Sequence, residues 1–307
     1  MTQILLIFIC LAIGIGLRYS KTFPKNTPAV LNGYILYVAL PAMALYYIPD
    51  LQLQWSLLLP IGVAWICFTL SFLLFALLGK IFHWSKKLIG CLTLTAGLGN
   101  TSFVGIPIIT GLYGDEGMKT LIIVDLPGTF VVLSTLGILT ATYYAKKSAK
   151  NESESLIQKI ISFPPFIAFC FAILLLILGI DFPFELKEVF KRLAATISPI
   201  ALISVGFQLK FKTYSKHFGF LGLGLAYKLL LFPFVIFTLY YYILGFNTLE
   251  TKICIIEAAM APMITGAILA NSYGLKPELS NMMVGFGIPI SFLTIGFWYF
   301  LIEWSIM

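Results

Sequence analysis

Two short stretches interrupt apolar parts of the chain with residues that could bind a ligand. The first reads GLGNTSFVGIP from residue 97 to residue 107, and the second reads EAAMAPMITG from residue 257 to residue 266. Glycine loosens a helix and proline removes a backbone donor, so we expect Pro107 and Pro262 to break a helix in each stretch. A broken helix exposes N–H groups at the positive end of its dipole, which attract anions.

Polar side chains beside both breaks favour a binding site over a simple kink. The Asn100 amide can donate a hydrogen bond to a carboxylate, although a buried asparagine could instead satisfy the loosened backbone. The hydroxyls of Thr101 and Ser102 could add further contacts. The residues that we predict to bind the substrate are Asn100, Thr101, Ser102, Pro107, Pro262, Met263 and Thr265.

Three ionisable residues stand within apolar stretches, where a charge is costly and is by default a candidate for function. Asp125 and Glu257 could bind Na⁺ together with Asn100, Thr101 and Thr129, because hard cations prefer oxygen ligands. One of the two acids could instead carry a proton. Alternatively, they could form an ion pair with Lys228, or Lys228 could attract an anion. We therefore predict an ion-coupling group of Glu257, Asp125, Thr129 and Lys228, with no cofactor other than Na⁺ or H⁺.

The composition places these residues in a membrane protein. Of 307 residues, 60% are hydrophobic and only 11% are charged, and the mean hydropathy is +0.98. Soluble domains are about 45–50% apolar and about 25% charged. Apolar runs of twenty or more residues favour helices over a β-barrel. The five cysteines lie in apolar runs without metal-ligand spacing, so we predict neither a disulfide nor a metal cluster.

The distribution of basic residues gives the topology. We predict ten transmembrane helices, near residues 3–18, 28–48, 55–79, 87–111, 118–145, 161–180, 189–209, 216–244, 250–271 and 279–302. The odd-numbered connections carry fourteen of the twenty Lys and Arg residues, so we expect them to be cytoplasmic and both termini to face outward. The net charge of +7 is therefore a topological signal, and no nucleic-acid partner is expected.

The chain also contains a weak internal repeat. Leu112-Tyr113-Gly114-Asp115 aligns with Ser272-Tyr273-Gly274-Leu275, each just after an interrupted apolar run. Two units of five crossings must have opposite orientations in the membrane, which is typical of secondary transporters. The predicted division is a first five-helix repeat at 1–145, a short cytoplasmic linker at 146–160 and a second, inverted repeat at 161–307.

The two motifs carry a family resemblance. The run from Asn100 to Pro107, followed by Tyr113-Gly114, resembles the fourth-helix signature of the auxin efflux carrier family. The run from Glu257 to Pro262, with Tyr273-Gly274, resembles the counterpart in the second half. The resemblance covers the whole chain. It implies a fold like that of bile acid:sodium symporters, with two inverted repeats and broken, crossing helices 4 and 9.

The resemblance also implies an activity. Members transport organic anions by moving a core against a scaffold, an elevator-type mechanism. The short linker matches the compact bacterial form, similar to carriers of malonate, malate or other small carboxylates. We therefore expect a secondary transporter, and not an enzyme, in the bacterial inner membrane, with the lipid bilayer and a second copy of the chain as partners. A channel or receptor is the alternative.

Overall fold

A computed structural model describes residues 2–20, 22–51, 55–145, 164–208 and 217–305. Within these ranges the chain is helical and forms no strand. The α-helices are Thr2–Tyr19, Thr27–Tyr34, Leu40–Tyr47, Leu58–Ile81, Lys86–Ala96, Ile106–Ile123, Ile138–Ala145, Pro164–Leu178, Phe184–Ala195, Ile197–Gln208, Phe218–Ala226, Phe232–Phe237, Leu249–Ala258, Ile264–Ser272 and Pro277–Ser305. The predicted linker at 146–160 lies outside the described residues.

Short π-helical segments extend or join several of these helices. They are Ile35–Ala39, Thr101–Gly105, Val124–Phe130, Leu133–Gly137, Tyr227–Leu231 and Thr238–Ile243. Wider π turns often occur at functional sites because they redirect side chains and free backbone groups. Asp125 and Lys228 both lie in such segments.

Six helical stretches in the described part of the chain are long and apolar enough to cross a membrane. They are Thr27–Tyr47, Leu58–Ile81, Thr101–Ala145, Phe184–Gln208, Phe218–Ile243 and Pro277–Ser305. Leu5–Tyr19 and Pro164–Leu178 are shorter apolar helices. The chain is therefore a multi-pass helical protein, whereas the count of ten crossings stays a prediction.

The stretch Thr101–Ala145 is too long for one straight crossing. At a rise of 1.5 Å per residue, its 45 residues would span about 68 Å, roughly twice the thickness of the hydrocarbon core. Gly114 interrupts it with a non-helical backbone at φ 63°. Gly274, its partner in the sequence repeat, has φ 65°. Both positions therefore need the left-handed conformation that glycine adopts without steric cost.

The described helices form two compact units, and each unit takes segments from both halves of the sequence. The first unit comprises Met1–Trp55, Ser102–Ile122 and Ile157–Leu209. The second comprises Ser56–Thr101, Ile123–Leu156 and Lys210–Met307. Packing thus groups segments differently from the predicted repeats, which divide the chain by order along the sequence.

Within the first unit, the N-terminal helix Thr2–Tyr19 packs along Ile197–Gln208. The helix Leu40–Tyr47 packs against Pro164–Leu178 and Phe184–Ala195. Side-chain hydrogen bonds add to this packing, because Ser204 donates to the Asn32 amide oxygen over 2.6 Å.

Within the second unit, the long helix Leu58–Ile81 contacts Lys86–Ala96, Val124–Phe130 and Leu249–Ala258. Two tyrosine hydroxyls fix the neighbouring stretch Phe218–Ile243 to this helix. Tyr227 donates to the Cys67 carbonyl and Tyr240 to the Leu59 carbonyl, each over 2.7 Å. These bonds position the π segment that contains Lys228.

Candidate functional site at two helix breaks

The two sequence motifs meet inside the second unit. The half-helix Lys86–Ala96 ends before Gly97, and the half-helix Leu249–Ala258 ends before Ala259. Gly99 and Pro262 pair in an isolated antiparallel bridge. The Asn100 N–H donates to the Ala261 carbonyl over 2.8 Å, and the Met263 N–H donates to the Leu98 carbonyl over 3.0 Å. We call residues 97–100 and 259–263 the crossing.

At the crossing, backbone groups of each break form hydrogen bonds with backbone groups of the other break. Buried N–H and C=O groups need hydrogen-bond partners, and a broken helix leaves several without an intrahelical one. Pro262 suits its position because it has no N–H to satisfy. The structure thus places Pro262 at a break, in agreement with the prediction.

Pro107 lies elsewhere. The first break is at residues 97–100, and Pro107 is the second residue of the helix Ile106–Ile123. The π segment Thr101–Gly105 runs directly into this helix, so Pro107 lies inside a continuous helical stretch that begins at Thr101. The expectation that Pro107 itself breaks the fourth helix is therefore wrong, and the glycine-rich run before it contains the break.

Lys228 is fully enclosed beside the crossing. Its side chain is 1% exposed, and its Nζ donates to the Ala258 carbonyl over 2.7 Å. Nζ also lies 5.3 Å from the centre of the Phe232 ring. A Cβ atom added to Gly99 would lie 3.2 Å from Nζ, so the ammonium group lies beside both breaks.

Glu257 is the other enclosed charge of this half-helix end. It is 1% exposed, and neither carboxylate oxygen has a hydrogen-bond partner among the residues that the structure describes. It lies within electrostatic range of Asp125 and Lys228. The ion pair with Lys228 that the sequence left open is therefore absent as a direct contact, and the Lys228 ammonium binds a backbone carbonyl.

Asp125 and Thr129 occupy the π segment Val124–Phe130, and both are buried. The Thr101 hydroxyl donates to Asp125 Oδ1 over 2.5 Å. The Thr129 hydroxyl donates to its own helix, at the Val124 carbonyl, over 3.2 Å. Because the proton of the Thr129 hydroxyl is used in this way, its oxygen can only accept or coordinate in any further contact.

The predicted substrate residues are therefore not all equivalent. Asn100 and Thr101 are buried at the crossing, and the half-buried Met263 contributes its backbone to it. Thr265 is exposed on the half-helix Ile264–Ser272. Ser102 and Pro107 belong to the first unit, where Ser102 is half-buried and Pro107 is buried.

Sequence reasoning missed Gly99 and the Ala258 carbonyl as partners of Lys228. A usable signal was present, because carbonyls at the end of a half-helix lack intrahelical donors and attract cations. Lys228 is the only basic residue well inside a predicted span. The two facts together suggest a helix-capping lysine.

A second charged cluster lies in the first unit. The Tyr47 hydroxyl donates to Asp115 Oδ1 over 3.0 Å, and Lys187 Nζ bridges Asp50 at 2.9 Å and Asp181 at 2.7 Å. The hydrogen bond from Lys187 holds the pKa of Asp181 below its usual value. These contacts are partly exposed. They join residues of the loops between helices to neighbouring helices and do not form an enclosed site.

The chain resembles known membrane proteins over its whole length. Residues 1–299 match the family described as membrane transport protein. An uncharacterized transporter of Methanocaldococcus jannaschii is 26% identical over 308 residues, covering 97% of each chain. An uncharacterized transporter of Methanothermobacter thermautotrophicus is 23% identical over 297 residues, covering 96% of each chain. The recognition made from the helix-break motifs is confirmed, and the chain belongs to the membrane transport protein family, of the auxin efflux carrier type.

Proposed function

We propose that this protein is a secondary active transporter of small organic anions, chiefly carboxylates, which works by alternating access. The observation that carries the proposal is the enclosed group of Lys228, Glu257 and Asp125 beside the crossing. Burying charged groups costs several kcal/mol each, so such residues are retained in a membrane protein mainly where they serve binding or coupling.

In this proposal the substrate carboxylate binds at the crossing. The Asn100 amide donates a hydrogen bond, and the Thr101 hydroxyl can donate one only when it releases Asp125. The other substrate-binding residues of the proposal are Ser102, Pro107, Pro262, Met263 and Thr265. The start of the half-helix Ile264–Ser272 presents N–H groups at the positive end of the helix dipole, which suits an anion. Malonate and malate are the first substrates to test.

The coupling residues of the proposal are Glu257, Asp125, Thr129 and Lys228. They allow Na⁺ binding that also uses Asn100, proton binding on one of the acids, or uniport if neither ion gradient drives the flux. Support comes from the buried carboxylate of Glu257, whose oxygens are not committed to other described residues. Lys228 balances part of this negative charge.

We further infer ten transmembrane helices in two inverted five-helix repeats, with a scaffold and a moving core. Support comes from the two helix breaks and from the positive φ angles of Gly114 and Gly274, which the repeat pairs. The protein would lie in the plasma membrane as a homodimer, with both termini facing outward. Its direction of transport would be efflux or exchange.

The substrate is tested by reconstituting the purified protein in liposomes. Malonate, malate, lactate and indole-3-acetate are supplied as labelled solutes, and we expect saturable uptake of at least one dicarboxylate. Asn100→Ala is expected to abolish that uptake, whereas Asn26→Ala, which removes an exposed amide, should leave it unchanged. Flux that does not saturate, or an unaffected Asn100→Ala variant, would contradict the proposal and favour a channel.

The coupling ion is tested by imposing a Na⁺ gradient or a pH gradient on the same liposomes. Glu257→Gln is expected to abolish the response to the driving gradient. Glu250→Gln, which changes an acid two turns earlier in the same half-helix, serves as the control. If neither gradient changes the flux of the unmodified protein, a uniporter is the conclusion.

A further inference from the structure

We propose that the Lys228 ammonium group is a built-in cation of the crossing, which takes the place of a bound metal ion at the end of the half-helix Leu249–Ala258. This inference rests on the proposed function for its transport consequence, which is that the unmodified protein needs no Na⁺ for anion transport. The structural part of the inference can be tested without any substrate.

The first support is the position of the ammonium group. Ala258 is the last residue of its half-helix, and Lys228 Nζ lies 2.7 Å from its carbonyl oxygen. Carbonyls at the end of a helix carry partial negative charge and lack intrahelical donors. In transporters with broken helices, such ends coordinate the coupling cation. Here a covalently attached cation already occupies that position.

The second support is the backbone at the other break. Gly99 has no side chain, and a Cβ there would lie 3.2 Å from Lys228 Nζ and 3.5 Å from the Glu257 carbonyl oxygen. The ammonium group therefore lies next to Gly99, one of the two residues of the Gly99–Pro262 bridge. A single positive charge thus caps the end of the half-helix Leu249–Ala258 and lies beside the backbone of the other break.

The third support is the charge of the surroundings. The Glu257 carboxylate lies within electrostatic range of both Lys228 and Asp125, and Lys228 offsets part of its charge. Removal of the ammonium group would leave the buried Glu257 carboxylate and the Ala258 carbonyl without their nearby cation. Those are oxygen ligands with excess negative charge, which is the environment that a hard cation prefers.

The inference predicts that removing the lysine creates a requirement for Na⁺. Purified wild type and Lys228→Ala are heated in detergent while NaCl replaces choline chloride at constant ionic strength. We expect the melting temperature of wild type to stay constant and that of Lys228→Ala to rise with Na⁺ in a saturable manner. Lys252→Ala, which removes a lysine paired with Glu303 at 2.8 Å, is the matched control and should not respond.

Transport gives the second measurement. In liposomes, malonate uptake by wild type should be equal in Na⁺ and in choline. Uptake by Lys228→Ala should fall at least tenfold in choline and recover at least in part in Na⁺. Should Lys228→Ala not fold, Lys228→Met keeps the apolar stem, and recovery of folded protein by Na⁺ but not by choline tests the same point.

Several outcomes would overturn the inference. They are a rise in the wild-type melting temperature with Na⁺, wild-type uptake that requires Na⁺, or a Lys228→Ala variant that folds and shows no response to Na⁺. A different result would separate the two proposals. If no carboxylate is transported under any condition but Na⁺ stabilises Lys228→Ala and not wild type, the proposed function is wrong and the inference about Lys228 is supported.

Discussion

The hydroxyl of Thr101 donates a hydrogen bond to Asp125 Oδ1 over 2.5 Å, and both side chains are buried. Thr101 directly follows the crossing, and Asp125 lies in the π segment Val124–Phe130. A bond to a charged acceptor is among the stronger hydrogen bonds in proteins. This contact therefore links the first break to the segment that packs against Leu58–Ile81.

Replacement of Thr101 by valine tests how much the hydrogen bond to Asp125 contributes to stability and to transport. Valine keeps the branched shape and removes the donor, so Asp125 loses one partner in a buried site, at a cost of about 1–3 kcal/mol. We expect a lower melting temperature in detergent and reduced carboxylate uptake. Thr135→Val, which removes a hydroxyl bonded to its own helix at Val131, should change both much less. Equal effects in the two variants would refute a special role for Thr101.

Glu257→Gln should separate stability from function. Glutamine has almost the same shape and removes a buried charge whose oxygens lack hydrogen-bond partners among the described residues. Loss of the desolvation cost of Glu257 opposes the loss of a counter-charge for Lys228, so the melting temperature should change little, while ion-coupled uptake is lost. Parallel thermal unfolding and uptake measurements check this. A strongly destabilised Glu257→Gln protein would show that the carboxylate is structural.

Gly99→Ala tests the close approach of the ammonium group to the crossing. The added methyl group would lie 3.2 Å from Lys228 Nζ, which is too close for an ordinary contact with a buried and constrained side chain. We expect folded protein with uptake reduced about tenfold, equivalent to about 1.4 kcal/mol in the transport barrier. Gly16→Ala is the control, because nothing lies within 4 Å of its added Cβ. Unchanged uptake by Gly99→Ala would contradict the expectation.

Asp181 should contribute a small, pH-dependent stability to the first unit. Its pKa in the folded protein is lowered by the hydrogen bond from Lys187. Its stabilising effect is therefore present above the unfolded pKa of about 3.9 and is lost as the pH falls through the lower folded value. Partly exposed pairs contribute about 0–1 kcal/mol. Asp181→Asn should thus lower the melting temperature slightly at pH 7, and the difference from wild type should shrink as the pH falls below about 3.9.

A constant difference between wild type and Asp181→Asn from pH 7 to pH 3 would show that the carboxylate acts through packing rather than charge. Glu116→Gln, which alters another acid of the same unit, serves as a comparison for general charge effects. The measurement needs only thermal unfolding of the detergent-solubilised protein at a series of pH values.

The sequence by itself determined the class of protein and the place of the two helix breaks that form its candidate site. Long apolar runs in lipid form helices because every backbone N–H and C=O group then finds a hydrogen-bond partner within its own segment. Glycine and proline act locally on the backbone, so the two motifs indicated both breaks, including Pro262. Asn100, Glu257 and Lys228 stood out because charged and polar residues are rare in such runs.

Only the tertiary structure decided which groups meet. The first break lies at residues 97–100, where Leu98 and Asn100 form hydrogen bonds with the second break, and not at Pro107, which lies inside a continuous helical stretch. Lys228 caps Ala258, thirty residues away, and Thr101 bonds to Asp125, twenty-four residues away. Such contacts depend on how helices pack and on where π turns rotate a side chain. Local sequence patterns predict neither the helix packing nor these side-chain rotations, because hydropathy and propensity describe one segment at a time.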